Sequence, residues 1–325
     1  MLDAVRAREL PIRPVEHRWL VDQIWGEEAV GVLGGEPKCC KSFLALDIAV
    51  AVASGRSCLR RYAVVRPGRV LLFAAEDALW EVRRRLEGIA RAASVPFDSL
   101  DIHVITAPVV RLDNARDREE LEATVAALEP RLVVLDPFVR LHRVDENAVA
   151  EVAPLLAYLR ALQRRHQTAV LLVHHARKGG AHLRAGQALR GSSELHAWGD
   201  SNLYLCRRSS GLVLTVEHRT APSIAPVSVE LLAKDNYASL VIVNDAAPPP
   251  ASTALPAGER IVRALSAARG AITMRQIRID CQMRGETVTA ALGQLVLQGR
   301  VERRAGGYQL TSPNSETQQV IPARS

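Results

Sequence analysis

The sequence lacks the features that would assign it to a membrane or to a secretory pathway. Its apolar runs all stay well short of the roughly 18 to 20 residues that a membrane-spanning helix needs. Its first 25 residues carry charges throughout and contain no apolar segment of the signal-peptide kind. We therefore expect a cytoplasmic protein without a membrane partner.

Cysteine is scarce, and its spacing suits neither metal binding nor disulfides. The five cysteines are Cys39, Cys40, Cys58, Cys206 and Cys281. No two of them form a C-x-x-C pair, and their number is odd, which indicates neither a zinc site nor a disulfide framework. What the chain does have is 325 residues with 48% hydrophobic content, enough for a substantial core and for two modest domains.

One stretch carries most of the functional information: residues 30 to 54, where a short apolar run enters a loop and continues as a helical pattern. The phosphate-binding pattern G-x-x-x-x-G-K-[ST] falls on this loop with one departure, because Cys40 stands where the second glycine belongs. The N–H groups of such a loop and the positive end of the following helix dipole bind polyphosphates. The alternative is an ordinary strand-turn-helix connection. On the first interpretation, the residues that contact ATP are Gly35, Glu36, Pro37, Lys38, Cys39, Cys40, Lys41, Ser42 and Phe43.

Three residues of the loop have separate expected roles. Lys41 would reach the β- and γ-phosphates of ATP, and the Ser42 hydroxyl would hold Mg²⁺. Cys40 would be strained, by on the order of 1 kcal/mol or more, if its backbone were left-handed, and merely tolerated if it were helical. Cys40 also lies beside Lys41 and a helix N-terminus, both of which favour a thiolate, so its oxidation could close the site.

Apolar runs alternate with helical patterns over the first two thirds of the chain. Strands are predicted at 30–33, 70–74, 102–106, 132–135 and 169–173, and helices at about 42–54, 79–93, 117–129 and 149–166. This alternation predicts βαβ units and a mainly parallel sheet covered on both faces, which is an α/β fold. After a polar segment at 177–191, three short strands near 201–206, 212–218 and 227–232 are predicted to extend the sheet in antiparallel fashion.

Composition shifts divide the chain further. The predicted segments are an N-terminal segment at 1–29 that packs on the core, a nucleotide-binding core at 30–244, a linker at 245–258, a small domain at 259–312 and a disordered tail at 313–325. The linker is predicted because this stretch is rich in proline and alanine and has no periodic apolar pattern. In the N-terminal segment, Trp19, Leu20 and Trp25 are the expected anchors onto the core.

The small domain is basic. Between residues 256 and 312 the sequence has nine arginines and four acidic residues, a net charge of +5, which indicates a polyanion partner. Helices at 259–268, 274–282 and 286–298, followed by a two-stranded ribbon at 301–310, predict a winged helix. The expected contacts with duplex DNA are Arg284, Arg300, Arg303 and Arg304. The alternatives are a protein-protein contact and an arginine-rich surface that serves only solubility.

Polar residues follow the predicted parallel strands at the points where these strands end. Glu76 and Asp77 come after the second strand, Asp136 after the fourth, and His174 and His175 after the fifth. Ligands of open α/β sheets bind at this edge. An acid here can polarise the water that attacks a γ-phosphate, a second can lie on the Mg²⁺ side, and an imidazole can contact the γ-phosphate.

These motifs together resemble a known family. The series GGEPKCCKS, FAAED, LVVLDPFVRLHRVDEN, LLVHHARKGG and LRGSSELHAWGDS closely resembles the RecA-like ATPases of the plasmid RepA type, which form hexameric replicative helicases. The resemblance covers roughly Val30 to Leu232. It implies a RecA-like P-loop core, with Glu76 as the general base, Asp136 as the second metal-side residue beside Ser42, and His174 or His175 as the γ-phosphate sensor.

The resemblance also has implications for DNA and for assembly. The segment from Arg177 to Gly191, with Arg177, Lys178 and Arg184, would line a central channel for single-stranded DNA. The position where that family places an arginine acting on the neighbouring subunit falls on Asp200, and Arg190 is the substitute candidate. The basic C-terminal module has no obligatory counterpart in the plasmid helicase.

The sequence therefore supports a leading function and two alternatives. The leading hypothesis is an ATP-hydrolysing, DNA-associated motor or helicase of a mobile-element or plasmid-replication kind, which assembles as a homo-oligomeric ring of the hexameric type. The first alternative is a slow or inactive ATPase that acts as a switch or loader on DNA. The second is an oligomeric scaffold that has lost nucleotide altogether.

Overall fold

The structure, a computed structural model, describes residues 4–10, 18–175, 193–208, 211–234, 237–243, 257–268, 270–281, 285–304 and 306–311. The chain divides into two compact units, Met1–Pro248 and Pro249–Ser325. Among the helices in the described ranges, none is both long and apolar enough to cross a membrane.

The first unit is built around one large sheet. Its described strands are β1 (Trp19–Val21), β2 (Trp25–Gly26), β3 (Val30–Gly35), β4 (Val70–Ala74), β5 (Ile102–Val104), β6 (Leu132–Asp136), β7 (Ala169–His175), β8 (Ser201–Arg208), β9 (Gly211–His218), β10 (Val227–Lys234) and β11 (Tyr237–Ile242). Its described helices are α1 (Lys41–Ser54), α2 (Leu79–Ala92), α3 (Ala115–Leu128), α4 (Val149–His166) and α5 (Ser193–Trp198). Strands β1 and β2 form a hairpin, and the other nine described strands form the sheet, in the order β11-β10-β9-β8-β3-β7-β6-β4-β5.

The six strands from β8 to β5 in this order pair in parallel. The predicted phosphate loop therefore leaves a central strand, β3, which has β7 on one side and β8 on the other. Because parallel strands end at the same edge, the carboxyl ends of β3, β4, β6 and β7 come together there. The predicted α/β fold with a mainly parallel sheet is confirmed.

Both faces of the sheet are buried, which explains why its strands are continuous apolar runs. In β6, Leu132 and Val134 belong to the hydrophobic cluster that includes residues of α1 and α2. Their neighbours Val133 and Leu135 belong to the cluster that includes residues of α3 and α4. The period of two along the strand thus divides its side chains between two helical layers.

The prediction of an antiparallel extension needs one correction. Strand β8 runs parallel to β3, and the antiparallel pairing begins only between β8 and β9. An apolar run at 201–206 indicates a strand but carries no information about its direction, which depends on how the intervening chain crosses the sheet. Strand β10 pairs antiparallel as expected, and β11 adds a further antiparallel strand that was not predicted.

The described residues directly before β3 contribute to the hydrophobic cluster on the α1 side of the sheet. Leu20 and Trp25 are fully buried, and the Trp25 indole N–H donates to the carbonyl of Ala29 at 3.2 Å. Packing is also very close in β3, where a Cβ added to Gly31 would lie 1.7 Å from the carbonyl oxygen of Ser201. Only glycine allows β8 to approach β3 at this point.

The second unit has a separate small core. Its described elements are α6 (Ala257–Ala267), α7 (Met274–Asp280), α8 (Gly285–Leu297), β12 (Val301–Arg304) and β13 (Gly307–Leu310). Strands β12 and β13 form an antiparallel ribbon, and a bridge between Ile272 and Tyr308 adds a third short extended segment. The buried core consists of Ile261, Leu265, Ile277, Cys281, Val288, Ala291, Leu292, Leu295 and Val301. The described elements of this unit are thus three helices followed by a ribbon, and the winged helix itself stays a prediction.

Candidate nucleotide-binding site

A cavity of about 620 Å³ lies at the edge where the parallel strands end. The residues that line it are Pro37, Lys38, Cys39, Cys40, Lys41, Ser42, Phe43, Glu76, Asp77, Arg85, Asp136, Val139, Glu146, Val173, His174 and His175. The cavity thus brings together the predicted loop, both acidic positions and the histidine pair. Gly35 and Glu36 are not part of its lining, but their carbonyl groups hold Lys41.

The loop begins at a glycine that the packing requires. A Cβ on Gly35 would lie 2.3 Å from the carbonyl oxygen of Leu205 and 2.8 Å from Cys39 Sγ. The first glycine of the pattern therefore lets β3 pass close to β8 while Cys39 folds back under the loop.

Lys41 is an interior cation. Its side chain is buried, and its ammonium donates to the carbonyls of Gly35 at 3.0 Å and Glu36 at 2.8 Å, with Cys39 Sγ at 3.9 Å. Burial lowers the pKa of Lys41, while Cys39 and Asp136 oppose this shift. The ammonium lies at the mouth of the loop, where phosphate oxygens could take the place of its carbonyl partners.

Cys40 occupies the position before helix α1 with φ of 64° and ψ of 26°, which is left-handed. Of the two conformations considered for it, the ordinary helical one is therefore excluded. A residue with a side chain is strained in this region, where glycine is not. Lys38 is left-handed as well, with φ of 62°.

The expectation that Cys40 favours a thiolate is wrong. Burial raises the pKa of the Cys40 thiol, and this effect outweighs the opposing charges of Arg207, Lys41 and Arg85. Burial also raises the pKa of the Cys39 thiol. Neither thiol has the lowered pKa that a readily oxidised cysteine needs.

Asp136 ends strand β6 and accepts a hydrogen bond from the Ser42 hydroxyl. Burial raises the pKa of Asp136 to about 6, with Asp77 and Glu76 adding to the shift and Ser42 and Lys41 opposing it. The described residues contain no group of three or more His, Cys, Asp or Glu side chains that could hold a metal ion. The hydroxyl of Ser42 and the carboxyl of Asp136 are oxygen groups of the kind that Mg²⁺ accepts, and Mg²⁺ usually completes its shell with phosphate oxygens and water.

The two acids after β4 have different partners. Asp77 pairs with Arg85 at 2.7 Å, and Arg85 also contacts Glu81 at 2.9 Å and lies over the ring of Phe43. Glu76 pairs with Arg140 at 2.8 Å, with 42% and 61% of the two side chains exposed. Asp77 is thus held by an arginine that also contacts Glu81 and Phe43. Glu76, in contrast, is held only by an exposed ion pair, which is a weak interaction.

His174, the last residue but one of β7, sits in a buried cluster. Glu146 Oε1 lies 3.9 Å from His174 Nδ1 and 3.5 Å from His142 Nε2. The ring of Phe138 packs against both imidazoles, with centroid distances of 6.2 Å to His174 and 4.5 Å to His142. The segment that leaves Asp136 therefore packs against His174, one of the two candidate sensor histidines.

Sequence reasoning missed several of these residues. Arg85 gave only a weak signal, because Asp77 lies before the first residue of α2 and the spacing of eight between them is not a helical contact spacing. His142 and Glu146 lie in the segment LHRVDEN directly after Asp136, and their spacing of four was visible. Arg140 gave no comparable signal.

Other predicted residues lie elsewhere. Arg177, Lys178, Arg184, Arg190 and Arg284 lie outside the described residues. Asp200 pairs within its own chain with Arg160 and, at 3.1 Å, with Arg219, and it accepts from the backbone N–H of Val30 at 3.3 Å. Asp200 therefore links β3 of the sheet to Arg160 of α4.

The predicted arginines of the ribbon in the second unit differ in their partners. Arg300 pairs with Glu259 at 2.9 Å, and Arg304 pairs with Glu302 at 2.7 Å. Among the described residues, Arg303 makes no ion pair, and it is exposed. Its charge is the least compensated of the three.

Comparison with known proteins gives a family match and two similar folds. A model of a family described as AAA domain matches residues 1–181. The crystal structure of the RadB recombinase is 16% identical, with a TM-score of 0.49, over 67% of this chain and 92% of that chain. The KaiC-like protein PH0186 from Pyrococcus horikoshii OT3 is 14% identical, with a TM-score of 0.49, over 72% of this chain and 100% of that chain. The family match spans more than half of the chain, whereas the two structural likenesses are too distant to carry an argument.

Proposed function

This chain belongs to the AAA domain family, and on that premise we propose that it binds ATP with Mg²⁺ and hydrolyses it at the cavity described above. The observation that carries the proposal is the convergence of Lys41, Ser42, Asp136 and Glu76 on one cavity. These four residues come from three different strand ends. Phosphoryl transfer to water requires a cation for the phosphates, groups that hold Mg²⁺ and a carboxylate that can accept a proton. Lys41, the pair of Ser42 and Asp136, and Glu76 would supply these in turn.

The loop and Lys41 would bind the phosphates. The N–H groups of the loop and of the first turn of α1 would supply hydrogen-bond donors. Lys41 would add a positive charge, and its attraction to a phosphate is stronger at a buried position than in water. Mg²⁺ held by Ser42 and Asp136 would neutralise part of the phosphate charge.

Glu76 is the proposed base for hydrolysis. It would accept a proton from water as the water oxygen bonds to the γ-phosphorus and the bond from that phosphorus to the β,γ-bridging oxygen breaks, releasing ADP and phosphate. Asp77 is a poorer candidate because Arg85 already occupies it. His174 would contact the γ-phosphate, with Glu146 and Phe138 fixing the position of its ring.

We further propose that the protein acts on DNA as a homo-oligomeric motor of the helicase kind. The basic second unit would bind duplex DNA as a winged helix, through residues that include Arg303, and single-stranded DNA would pass through the ring. A cytoplasmic location is part of the same proposal. Support comes from the net charge of the second unit and from the order of its helices and strands.

One observation favours a second candidate, a slow ATP-dependent switch or loader. Cys40 places a side chain at a left-handed position of the loop, on the lining of the cavity. This would lengthen N–H contacts to the phosphates and slow the chemical step. Unwinding of a forked duplex would favour the motor, whereas ATP-dependent DNA binding without unwinding would favour the switch.

The central test separates binding from hydrolysis. Lys41→Ala should abolish ATP binding, whereas Glu76→Gln should retain binding and lower turnover by about 10²- to 10⁴-fold. Glu87→Gln is the matched control, because Glu87 is a partly exposed acid of α2, away from the cavity lining, whose partner is Arg83. Turnover by Glu76→Gln equal to that of the control would refute the base assignment. Undiminished ATP binding by Lys41→Ala would refute the site.

A further inference from the structure

Strand β8 carries two consecutive arginines at its end, Arg207 and Arg208, and the pleat of the strand separates them. Leu203 and Leu205 belong to the cluster on the α1 side of the sheet, whereas Tyr204 belongs to the cluster on the other side. Because side chains alternate along a strand, Arg207 lies on the side of α1 and of the phosphate loop, and Arg208 lies on the opposite side.

The contacts of Arg207 agree with this placement. Its guanidinium Nη2 donates to the carbonyl of Lys38, at the tip of the loop, over 3.5 Å. Its charge also acts on the Cys40 thiol: burial raises the pKa of that thiol, and Arg207 is the strongest of the groups that oppose the shift. Arg207 is therefore close both to the tip of the loop and to the residue before α1.

Two other cations beside the loop, Lys41 and Arg85, have firmer partners. Lys41 is held by two carbonyls, and Arg85 is held by Asp77 and Glu81. Arg207 is exposed, makes one long hydrogen bond, and makes no ion pair within the described part of the chain. Its guanidinium can therefore turn toward an anion without giving up a strong interaction.

We propose that Arg207 is a phosphate-binding residue of the nucleotide site, supplied from β8 of the same chain. The proposal rests on the proposed ATP site. A guanidinium forms short, charge-assisted hydrogen bonds to phosphate oxygens. The Cys40 side chain would lengthen the contacts between the loop and the phosphates, and a donor that reaches in from the neighbouring strand would offset this deficit.

The test compares the two arginines of β8 in the full chain. We expect Arg207→Ala to raise the Kd for ATP with Mg²⁺ by about five- to twentyfold, a discounted value for a charged hydrogen bond at an exposed site. Arg208→Ala, which removes the same charge from the other face, should stay within about twofold of wild type. Inorganic tripolyphosphate should show the same ranking as a competitor, because the contact is to phosphate. Arg207→Lys should recover part of the loss.

Three results would overturn the inference or locate the failure elsewhere. Equal Kd values for Arg207→Ala and Arg208→Ala would refute it while leaving the ATP site intact, provided that Lys41→Ala loses binding. If wild type itself fails to bind ATP, the proposed function falls first. Mixing Arg207→Ala with Lys41→Ala tests the origin of the arginine, since recovered binding would mean that it comes from a neighbouring subunit and would refute its assignment to the same chain.

Discussion

The two units of this protein place their charged residues in opposite ways. The first unit takes Lys41, Asp136 and His174 into a tightly packed interior, at the edge of a sheet whose strands approach so closely that Gly31 has no room for a Cβ. The second unit keeps most of its described arginines on the surface, among them Arg300, Arg303 and Arg304, and Gly293 in α8 faces open space. A site made of interior groups depends on the packing of the whole unit, whereas a charged surface depends only on the residues that carry it.

The sharpest test of this difference is a methyl group added to each unit. Gly31→Ala should lower the free energy of unfolding by about 3 kcal/mol or more, because the new Cβ would overlap a backbone oxygen. Gly293→Ala should raise it by about 0.5 to 1 kcal/mol, because alanine is the better helix former and meets nothing. Denaturant titrations of wild type and both variants would measure these changes in the free energy of unfolding. A Gly31→Ala protein as stable as wild type would contradict the close approach of β8 to β3.

The second unit should respond to single charges instead. Arg303→Ala should weaken binding to duplex DNA by about three- to tenfold at moderate salt and lower the slope of log K against log salt by about 0.9. Arg304→Ala should do less, since Glu302 already compensates its charge. Titrations of duplex DNA at several salt concentrations would give the affinity and the salt slope of each variant. Identical slopes for wild type and Arg303→Ala would favour the protein-contact alternative.

Substitutions of Cys40 test whether its left-handed backbone limits the loop. Cys40→Gly should raise turnover or ATP affinity by about fivefold, because glycine accepts the left-handed backbone and opens room near the phosphates. Stability should change little, since the strain relieved is offset by the larger chain entropy of glycine in the unfolded state. Cys40→Ala removes the sulfur but keeps the Cβ, and it should resemble wild type. Equal rates for all three reduced proteins would exclude an effect of backbone strain.

The smallest effect is expected at the exposed pair of Glu76 and Arg140. Arg140→Ala should raise turnover without DNA by about two- to fourfold, because the Glu76 carboxylate is then no longer held by the guanidinium and can turn toward the attacking water. Added salt should raise the wild-type rate and leave this variant unchanged. Arg143→Ala is the control, because Arg143 is exposed in the same segment and makes no ion pair among the described residues. A lower rate in Arg140→Ala would mean that the arginine assists the base.

The fold and the centre of the site were accessible from the sequence for physical reasons. Strands buried on both faces appear in the sequence as apolar runs. Residues at the carboxyl ends of parallel strands share one edge of the sheet, so the sequence alone places Asp136 and His174 at that edge. The glycine and lysine of the loop are close in sequence as well as in space. Contacts of this local kind are visible in a linear pattern.

The partners of these residues were not accessible in the same way. Arg140 reaches Glu76 across 64 positions, and Arg207 reaches Lys38 across 169, so no periodicity links them. The backbone conformation of Cys40 and the direction of β8 also depend on tertiary packing. The predicted thiolate failed for the same reason, because the desolvation of Cys40 is set by surrounding residues that a local pattern does not reveal.

The way Lys41 is held has a consequence for the shape of the loop. Its ammonium donates to the carbonyls of Gly35 and Glu36, six and five positions earlier in the chain, so the side chain ties the start of the loop to the start of α1. Removing this ammonium should therefore loosen the loop itself, and Lys41→Ala is expected to change the conformation of the loop as well as its charge.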